Sequence, residues 1–406
     1  MFDISGATVA VIGLDPDGFS LGKLAAAHGF ETVGFDVDEV KIAQLEASDS
    51  EKSRRLLLTA DASRLSDATI FVVSMHTRQG EAQSVLAELE REVAIVGSHL
   101  KEGDLVIVES IVYPGVCEHV LLPLLEKNSG LGRPGPDRSR EGFYFAHAPA
   151  TSAPRRVIGA ANAESLSRTI AFYRTLGNET VSMRSIKETE AVPMLEDSLH
   201  DTTLALAAEF SLFFDRIGID ISNVLTAARI TTVDSRSLSG IHVARTSPSA
   251  YYLARSGHEH QIDQQFLSTA RRMIDYMPKY AATVLADLLR EKRIAIKDVT
   301  VALLGLVDEN DSAQESVGSR IREALEKRGA QVQAYDPYLA GAGTDLKSTL
   351  EQAQAAVIAS DSPVFRNLTP RQFEELGIQV VLDAKNCLDK DAFAESSVIY
   401  RGIGRG

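Results

Sequence analysis

The stretch Ala7–Asp38 reads ATVAVIGLDPDGFSLGKLAAAHGFETVGFDVD and decides the fold of the first part of the chain. It begins with an apolar run that ends at Gly13, continues into an amphipathic segment closed by Gly29, and ends in a second apolar run that leads into Asp36. A strand, a glycine turn, a helix and a second strand ending in an acid are the layout of a dinucleotide-binding βαβ unit. We therefore predict such a unit at the start of the chain.

The turn of this unit departs from the dinucleotide fingerprint G-x-G-x-x-G. Gly13 and Gly18 match its first and last glycines, but Asp15 occupies the position of the middle one. The middle glycine lets the backbone approach the pyrophosphate, and a carboxylate there would repel it. Two interpretations of Asp15 follow. Either its side chain points away or bonds within its own turn when a dinucleotide binds, or the turn has lost that function.

The composition indicates a globular protein of two or three domains. The chain has 406 residues, of which 44% are hydrophobic and 24% charged, and this is enough to bury sizeable cores. A formal charge of -14 disfavours nucleic acid or an anionic membrane as the main partner. Only Cys117 and Cys387 occur, so neither a disulfide framework nor a metal site is expected. The lack of a long apolar run and of room for a signal peptide before the first strand predicts a cytoplasmic protein.

Alternating strand and helix patterns continue after the first unit. Apolar runs at Ala68–Ser74 and Leu105–Glu109 predict strands, and residues 40–46 and 81–97 predict helices. This alternation favours a doubly wound parallel sheet, whose ligands bind at the carboxyl ends of the strands. Four polar residues follow those strand ends: His76, Thr77, Glu109 and Ser110. We expect them on the same rim as Asp36.

Two long helical patterns occupy the middle of the chain. The first runs from about residue 190 to 216, with Pro193 in its first turn, and the second from about residue 263 to 290. Six apolar residues recur at helical spacing in the first: Leu195, Leu199, Leu206, Phe210, Phe213 and Ile217. This apolar stripe packs either against a partner subunit or within an intrachain helical layer.

The last third of the chain repeats the first. Thr300–Leu306 (TVALLGL) corresponds to Thr8–Leu14 (TVAVIGL), and Val332–Asp336 (VQAYD) corresponds to Thr32–Asp36 (TVGFD). A repeat of this kind predicts a second α/β domain with the same winding.

Seven motifs, in this order, resemble the UDP-glucose/GDP-mannose dehydrogenase family over nearly the whole chain. They are VIGL at 11–14, GFDVD at 34–38, LVIVESIVYPG at 105–115, DRIGID at 215–220, MIDYMP at 273–278, LLGL at 303–306 and YDPY at 335–338. The resemblance implies two Rossmann-like doubly wound parallel-sheet domains joined by a long central helical segment. We expect a dinucleotide-binding domain at 1–188, a helical dimerisation segment at 189–295 and a substrate-side domain at 296–406. It further implies NAD as cofactor, a small-molecule sugar or nucleotide substrate, and a homodimer.

The resemblance also shows which chemical groups have changed. The family's usual reaction oxidises a sugar CH2OH to a carboxylate with two NAD, and its second half needs the cysteine of a G-G-H-C motif. This chain reads Gly240-Ile-His242-Val243 there, and Pro193 stands where the family's helix motif has a lysine. Ala150 and Thr151 replace the glutamate and arginine of an S-P-E-R turn. The usual acid-forming reaction is therefore not expected.

The residues proposed to bind the cofactor are those of the first turn and of the neighbouring strand ends. They are Gly13, Leu14, Asp15, Gly18, Asp36, Thr77, Glu109 and Ser110. Asp36 would hold the adenosine ribose and would repel a 2′-phosphate, which favours NAD over NADP. Thr77 and Ser110 would line the nicotinamide side. The alternative for each is an ordinary turn or strand-end residue.

The candidate acid–base residues lie on the first long helix and beside the lost thiol. They are Glu196, Asp197, His200 and His242. Glu196 and His200 share one helix face at i,i+4 spacing, and a solvated face is the alternative.

Two functions are consistent with this sequence. The first is an NAD-dependent enzyme that acts on a sugar, nucleoside or nucleotide sugar without a thiohemiacetal step. It would work by two-electron oxidation, or by transient oxidation coupled to epimerisation or dehydration. The second is a catalytically inactive relative that serves as a binding or assembly partner.

Overall fold

The computed structural model describes residues 6–48, 53–75, 82–132, 142–149, 155–228, 240–241, 265–307, 316–339 and 345–405. The described residues form two compact units that divide within one long helix, between Ser198 and Leu199. The boundaries at 188/189 and 295/296 stay predictions.

The first unit is a sheet flanked by helices. Its strands are β1 (Thr8–Ile12), β2 (Glu31–Phe35), β3 (Leu56–Thr59), β4 (Ile70–Val73), β5 (Leu105–Val108), β6 (Tyr144–His147), β7 (Arg155–Ala160) and β8 (Glu179–Ser182). Its helices are α1 (Pro16–Ala27), α2 (Glu39–Ser48), α3 (Ala82–His99), α4 (Leu122–Ser129) and α5 (Ala163–Thr175), with a 3-10 turn at Ala62–Asp67 and a π-helical turn at Cys117–Leu121. The strand order is β3-β2-β1-β4-β5-β6-β7-β8, and the described pairs are parallel except β6 with β7. Val9–Ile12 is completely buried, as expected for a parallel strand covered on both faces.

The second unit repeats this winding on a smaller scale. Its strands are β9 (Thr300–Leu304), β10 (Gln331–Tyr335), β11 (Ala355–Ile358), β12 (Val380–Asp383) and β13 (Ile399–Gly402), in the order β10-β9-β11-β12-β13. The helices of the middle and last parts are α6 (Ile186–Ile217), α7 (Ile221–Ala228), α8 (Gln265–Glu291), α9 (Val317–Glu326), α10 (Leu346–Glu351), α11 (Pro363–Arg366) and α12 (Pro370–Glu375), with 3-10 turns at Ile296–Asp298 and Asp391–Phe393. In register, Leu304 pairs with Tyr335 as Ile12 pairs with Phe35. The prediction of two Rossmann-like sheets with a helical segment between them is confirmed.

The start of α6 corrects one prediction. The helix begins at Ile186, so Pro193 lies inside it rather than in its first turn. A local cap explains the earlier start, because the Ser185 hydroxyl accepts from the Glu188 N–H (3.2 Å) and the Glu188 carboxylate accepts from the N–H of Arg184, the residue before the serine (2.9 Å). The S-x-x-E pattern at 185–188 was the signal in the sequence.

The apolar stripe of α6 is exposed in the single chain. The exposure of its six residues runs from 46% at Phe210 to 62% at Leu195. The face that packs within the chain instead carries small and apolar residues such as Leu204, Ala205 and Ala208. Among the described residues, no intrachain helical layer covers the predicted stripe. None of the described helices has both the length and the apolarity to cross a membrane.

Candidate functional site

The turn between β1 and α1 is a close approach of backbone to backbone. Gly13 has φ +86°, and a Cβ there would lie 2.8 Å from the Ser74 carbonyl oxygen. A Cβ on Gly18 would overlap the carbonyl oxygen of Gly13. Only glycine fits either position without a shift of the backbone, so the carboxyl end of β1 lies directly under the first turn of α1.

Asp36 is built into this turn. It follows β2 and is 7% exposed. Its Oδ2 accepts the Leu14 N–H at 3.0 Å, and its Oδ1 accepts the Asp38 N–H at 3.1 Å. The carboxylate predicted to hold a ribose thus also fixes the backbone of the turn.

Lys41 joins Asp36 to Asp15. Its ammonium on α2 lies 2.7 Å from Asp15 Oδ1 and 2.6 Å from Asp36 Oδ2. Burial opposes the charged form of both Asp36 and Lys41. The hydrogen bonds from Lys41 and from the Leu14 and Asp38 N–H groups nevertheless lower the pKa of Asp36, and the two carboxylates raise the pKa of Lys41. Our sequence analysis missed Lys41, although it follows Asp36 within the first turn of the next helix.

Glu109, at the end of β5, is held in a buried network. The Tyr173 hydroxyl donates to its Oε1 at 2.6 Å, Arg156 Nη2 lies 3.3 Å from the same oxygen, and the Ser74 hydroxyl donates to Oε2 at 3.3 Å. Burial raises the pKa of Tyr173 well above its usual value, and Glu109 adds to that shift. The network ties β5 to β7 and α5. A contact between Glu109 and the cofactor stays a prediction.

Ser110 and its neighbours join the ends of β4, β5 and β6. The Ser110 hydroxyl accepts the Met75 N–H at 3.0 Å, and His147 Nε2 lies 3.2 Å from the Ser110 carbonyl oxygen. Burial lowers the pKa of His147 to about 4, which keeps the imidazole neutral at physiological pH. The predicted residues His76 and Thr77 lie outside the described residues.

Glu190 is a buried carboxylate that the sequence did not single out. From α6 it accepts the Gly115 N–H at 2.6 Å and the Cys117 N–H at 2.8 Å, and so fixes the loop after β5. Burial raises the pKa of the Cys117 thiol well above its usual value, and Glu190 raises it further. Burial thus favours the protonated form of the Cys117 thiol, which is the less nucleophilic one.

The acid–base candidates of α6 lie on two adjoining faces. Asp197 is buried at 8% exposure, whereas Glu196 and His200 are half-buried. One turn beyond Asp197 on the buried face lies Asp201, whose Oδ2 is 3.7 Å from Arg271 Nε. The structure thus places Asp197 on a different face from Glu196 and His200. It also adds Asp201 as a second buried acid, which the i,i+4 spacing from Asp197 would have indicated.

His242 and Val243 lie outside the described residues, as do Ala150 and Thr151. The residues just before His242 are placed in the second unit. The Ile241 N–H donates to the Ala384 carbonyl at 2.6 Å, and Gly240, with φ +97°, packs against the same carbonyl. Gly240 and Ile241 therefore lie at the carboxyl end of β12, the end of the strands at which a doubly wound sheet binds ligands.

The second unit contains a turn built like the first. Gly305 has φ +93°, and a Cβ on Gly318 would overlap its carbonyl oxygen. Asp336 Oδ2 accepts the Leu306 and Val307 N–H groups at 2.6 and 2.8 Å, and Oδ1 accepts the Tyr338 N–H at 2.8 Å. Asp336 therefore has the same structural role that Asp36 has in the first unit.

Family models match both units. The NAD binding domain of the UDP-glucose/GDP-mannose dehydrogenase family matches residues 7–177, and the UDP binding domain of the same family matches residues 306–390. The first turn with Asp36 and Lys41 thus lies in the NAD-binding domain, and the turn with Asp336 in the UDP-binding domain.

Similar proteins span the whole chain. A UDP-N-acetyl-D-mannosamine dehydrogenase of Pyrococcus horikoshii is 27% identical and covers 98% of this chain and 99% of its own. A UDP-N-acetyl-D-glucosamine 6-dehydrogenase of Pseudomonas aeruginosa is 29% identical and covers 94% and 97%. The solved structure of UDP-D-ManNAc dehydrogenase from Pyrococcus horikoshii superposes with a TM-score of 0.85 at 25% identity, over 98% of this chain and 99% of that one. A UDP-glucose dehydrogenase structure from Pyrobaculum islandicum has the same fold, with a TM-score of 0.84 at 22% identity, over 99% and 98% of the two chains.

Proposed function

The chain belongs to the UDP-glucose/GDP-mannose dehydrogenase family, and from that premise we propose that it is an NAD-dependent enzyme that works without a thiohemiacetal. Its substrate would be a sugar, nucleoside or nucleotide sugar, and the names of the similar proteins favour the nucleotide sugar. The observation that carries the proposal is Val243 at the position of the family's thiol. Neither remaining thiol is a substitute, because burial raises the pKa of both Cys117 and Cys387.

The backbone of the first turn fits a dinucleotide, and Asp36 can accept a ribose hydroxyl. Gly13 and Gly18 provide the close approach of β1 and α1. Asp36 Oδ1 accepts one N–H, which leaves a lone pair for a ribose hydroxyl. NAD would accept the two electrons and the hydrogen of a carbinol C–H as hydride. The hydroxyl proton must then pass to a base of the protein.

We assign that base to Asp197. It lies on α6 next to Glu196, and a carboxylate within hydrogen-bond reach of the substrate hydroxyl can accept its proton. Glu196 and His200 flank it and would serve the second proton transfer that an epimerisation or dehydration needs. His242 stays a predicted participant.

Counting reduced cofactor per sugar tests this function. The protein is incubated with NAD and UDP-N-acetylhexosamines, UDP-glucose and the free sugars, and NADH and products are measured by absorbance and mass. We expect at most one NADH per converted sugar and no uronic acid. Two NADH per sugar with a carboxylate product would overturn the proposal.

Variants separate the enzyme from an inactive relative. Asp197→Asn should abolish conversion and leave NAD binding unchanged, whereas Glu196→Gln should reduce conversion only partly. The inactive relative is favoured by Asp15, which places a carboxylate in the turn. An inactive relative would convert no substrate even if it binds NAD.

We also propose that the apolar stripe of α6 forms a homodimer interface, because six exposed apolar residues on one helix are costly in water. Light scattering should give twice the mass of the chain. Phe213→Glu should give the monomer, and Glu88→Lys, at an exposed acid of α3, should not. A monomeric wild-type protein would contradict the proposal. The cytoplasmic location stays a prediction.

A further inference from the structure

We propose that Asp15 sets the dinucleotide affinity of the first turn: its carboxylate holds Lys41 across the turn and opposes the pyrophosphate. This inference rests on the proposed use of NAD. Asp15 would then have a function of its own, which is to keep the cofactor weakly bound and exchangeable.

The first step of the argument is where the Asp15 side chain goes. Asp15 is the N-cap residue of α1, with extended backbone at φ −65° and ψ 169°, but its side chain makes no cap hydrogen bond to that helix. It reaches Lys41 on α2 instead, at 2.7 Å. The ion pair thus spans from the start of α1 to α2, above the carboxyl ends of β1 and β2.

The second step concerns what the start of α1 offers an anion. Helix N-termini bind phosphates through free N–H groups and the positive end of the dipole. Here Pro16 removes one N–H, and Asp17 adds a second carboxylate to the first turn. The site therefore presents fewer donors and more negative charge than a glycine turn would.

The third step is the charge balance around Lys41. One ammonium is shared by Asp15 and Asp36, so the three side chains of Lys41, Asp15 and Asp36 together carry a net negative charge before any ligand binds. A pyrophosphate adds two negative charges beside it. Neutralising Asp15 removes a repulsion and leaves Lys41 with Asp36 as its one charged partner in this group, so that its ammonium can also attract the anion. At such distances this changes affinity by roughly tenfold or more.

Calorimetric titration of the full chain with NAD tests this inference. Asp15→Asn keeps the size of the side chain and removes its charge, and Asp15→Gly restores the fingerprint glycine. We expect both variants to bind NAD at least about tenfold more tightly than the wild type. Glu39→Gln is the matched control, because Glu39 is an exposed acid in the first turn of α2. It should change the dissociation constant by less than about twofold.

Two further measurements identify the mechanism. The gain should appear with ADP, which carries the pyrophosphate, and should be absent with adenosine. In a Lys41→Met background the gain from Asp15→Asn should shrink, since the cation that it frees is gone.

The outcomes distinguish this inference from the function on which it rests. If the wild type binds NAD and neither Asp15 variant binds it more tightly, the inference is wrong and the proposed function stands. If neither the wild type nor any Asp15 variant binds NAD, both are wrong.

Discussion

The first turns of the two units have the same backbone but different charges. In each, a glycine with positive φ ends the first strand, a second glycine lies against its carbonyl, and an aspartate after the second strand accepts backbone N–H groups. Asp336 is held by three N–H groups. Asp36 is held by two N–H groups and by Lys41, which also binds Asp15.

This comparison changes the meaning of Asp36. An aspartate at the end of the second strand, taken from sequence, suggests a ribose ligand. The same residue type performs the same backbone task in the unit that matches a UDP-binding domain. Asp36 is therefore explained structurally whether or not a dinucleotide binds. Among the described residues, the ion pair of Lys41 with Asp15 is what distinguishes the turn of the NAD-binding unit.

The largest predicted effect comes from the feature that the turns share. Gly18→Ala and Gly318→Ala each place a Cβ on a carbonyl oxygen, and each should destabilise the protein by about 3 kcal/mol or more. Gly22→Ala is the matched control in α1, because its Cβ would make an ordinary contact with Leu56. The free energy of unfolding of the three variants is measured by urea denaturation. Equal stability of Gly18→Ala and Gly22→Ala would contradict the shared backbone design.

The next effect tests the two aspartates as structural equivalents. Asp36→Asn and Asp336→Asn each replace an acceptor oxygen by a donor facing backbone N–H groups, and each should cost about 2 kcal/mol of unfolding free energy. If the two losses of unfolding free energy differ by more than about 1 kcal/mol, the two carboxylates do not have the same structural role.

A pH effect of similar size is predicted for Glu92 in the first unit. Burial, with a smaller contribution from Asp36, raises the pKa of Glu92 on α3 to about 7. The folded state then keeps a proton that the unfolded state has lost, so stability should fall as the pH rises from about 4.5 to 7. Glu92→Gln should remove this loss and stabilise the protein by about 2 kcal/mol at pH 8. Thermal unfolding of the wild type and of Glu92→Gln is measured at pH 5 and at pH 8. An unchanged difference between the two pH values in the variant would contradict the assignment.

The smallest effect concerns the helix caps. The Ser316 hydroxyl caps α9 by accepting the Ser319 N–H at 3.1 Å, whereas Asp15 does not cap α1 with its side chain. Ser316→Ala should therefore cost about 1 kcal/mol in urea unfolding. Asp15→Ala should cost less than Ser316→Ala, and the reverse order would contradict the difference between the turns.

The sequence predicted the backbone of both turns and little of what surrounds them. Glycine spacing and apolar runs are short-range patterns, and β1, β2, β9 and β10 follow from them. The predicted start of α6 was wrong because a local cap at 185–188 begins the helix before Pro193.

The buried charge contacts could not be predicted because they join residues far apart in sequence. Glu190 contacts Gly115 across 75 positions, and Arg156 meets Glu109 from another strand. Likewise, the pattern of α6 could not decide which of Glu196, Asp197 and His200 is buried, since that depends on what the helix packs against.

Titration of NAD into the wild type, Asp36→Asn and Asp336→Asn tests the central claim most directly. The two variants should lose similar stability, so folding is matched between them. We expect one NAD site per chain in the wild type, binding at least about tenfold weaker in Asp36→Asn, and unchanged binding in Asp336→Asn. Equal NAD affinity in the two variants would contradict the assignment of the cofactor to the first turn.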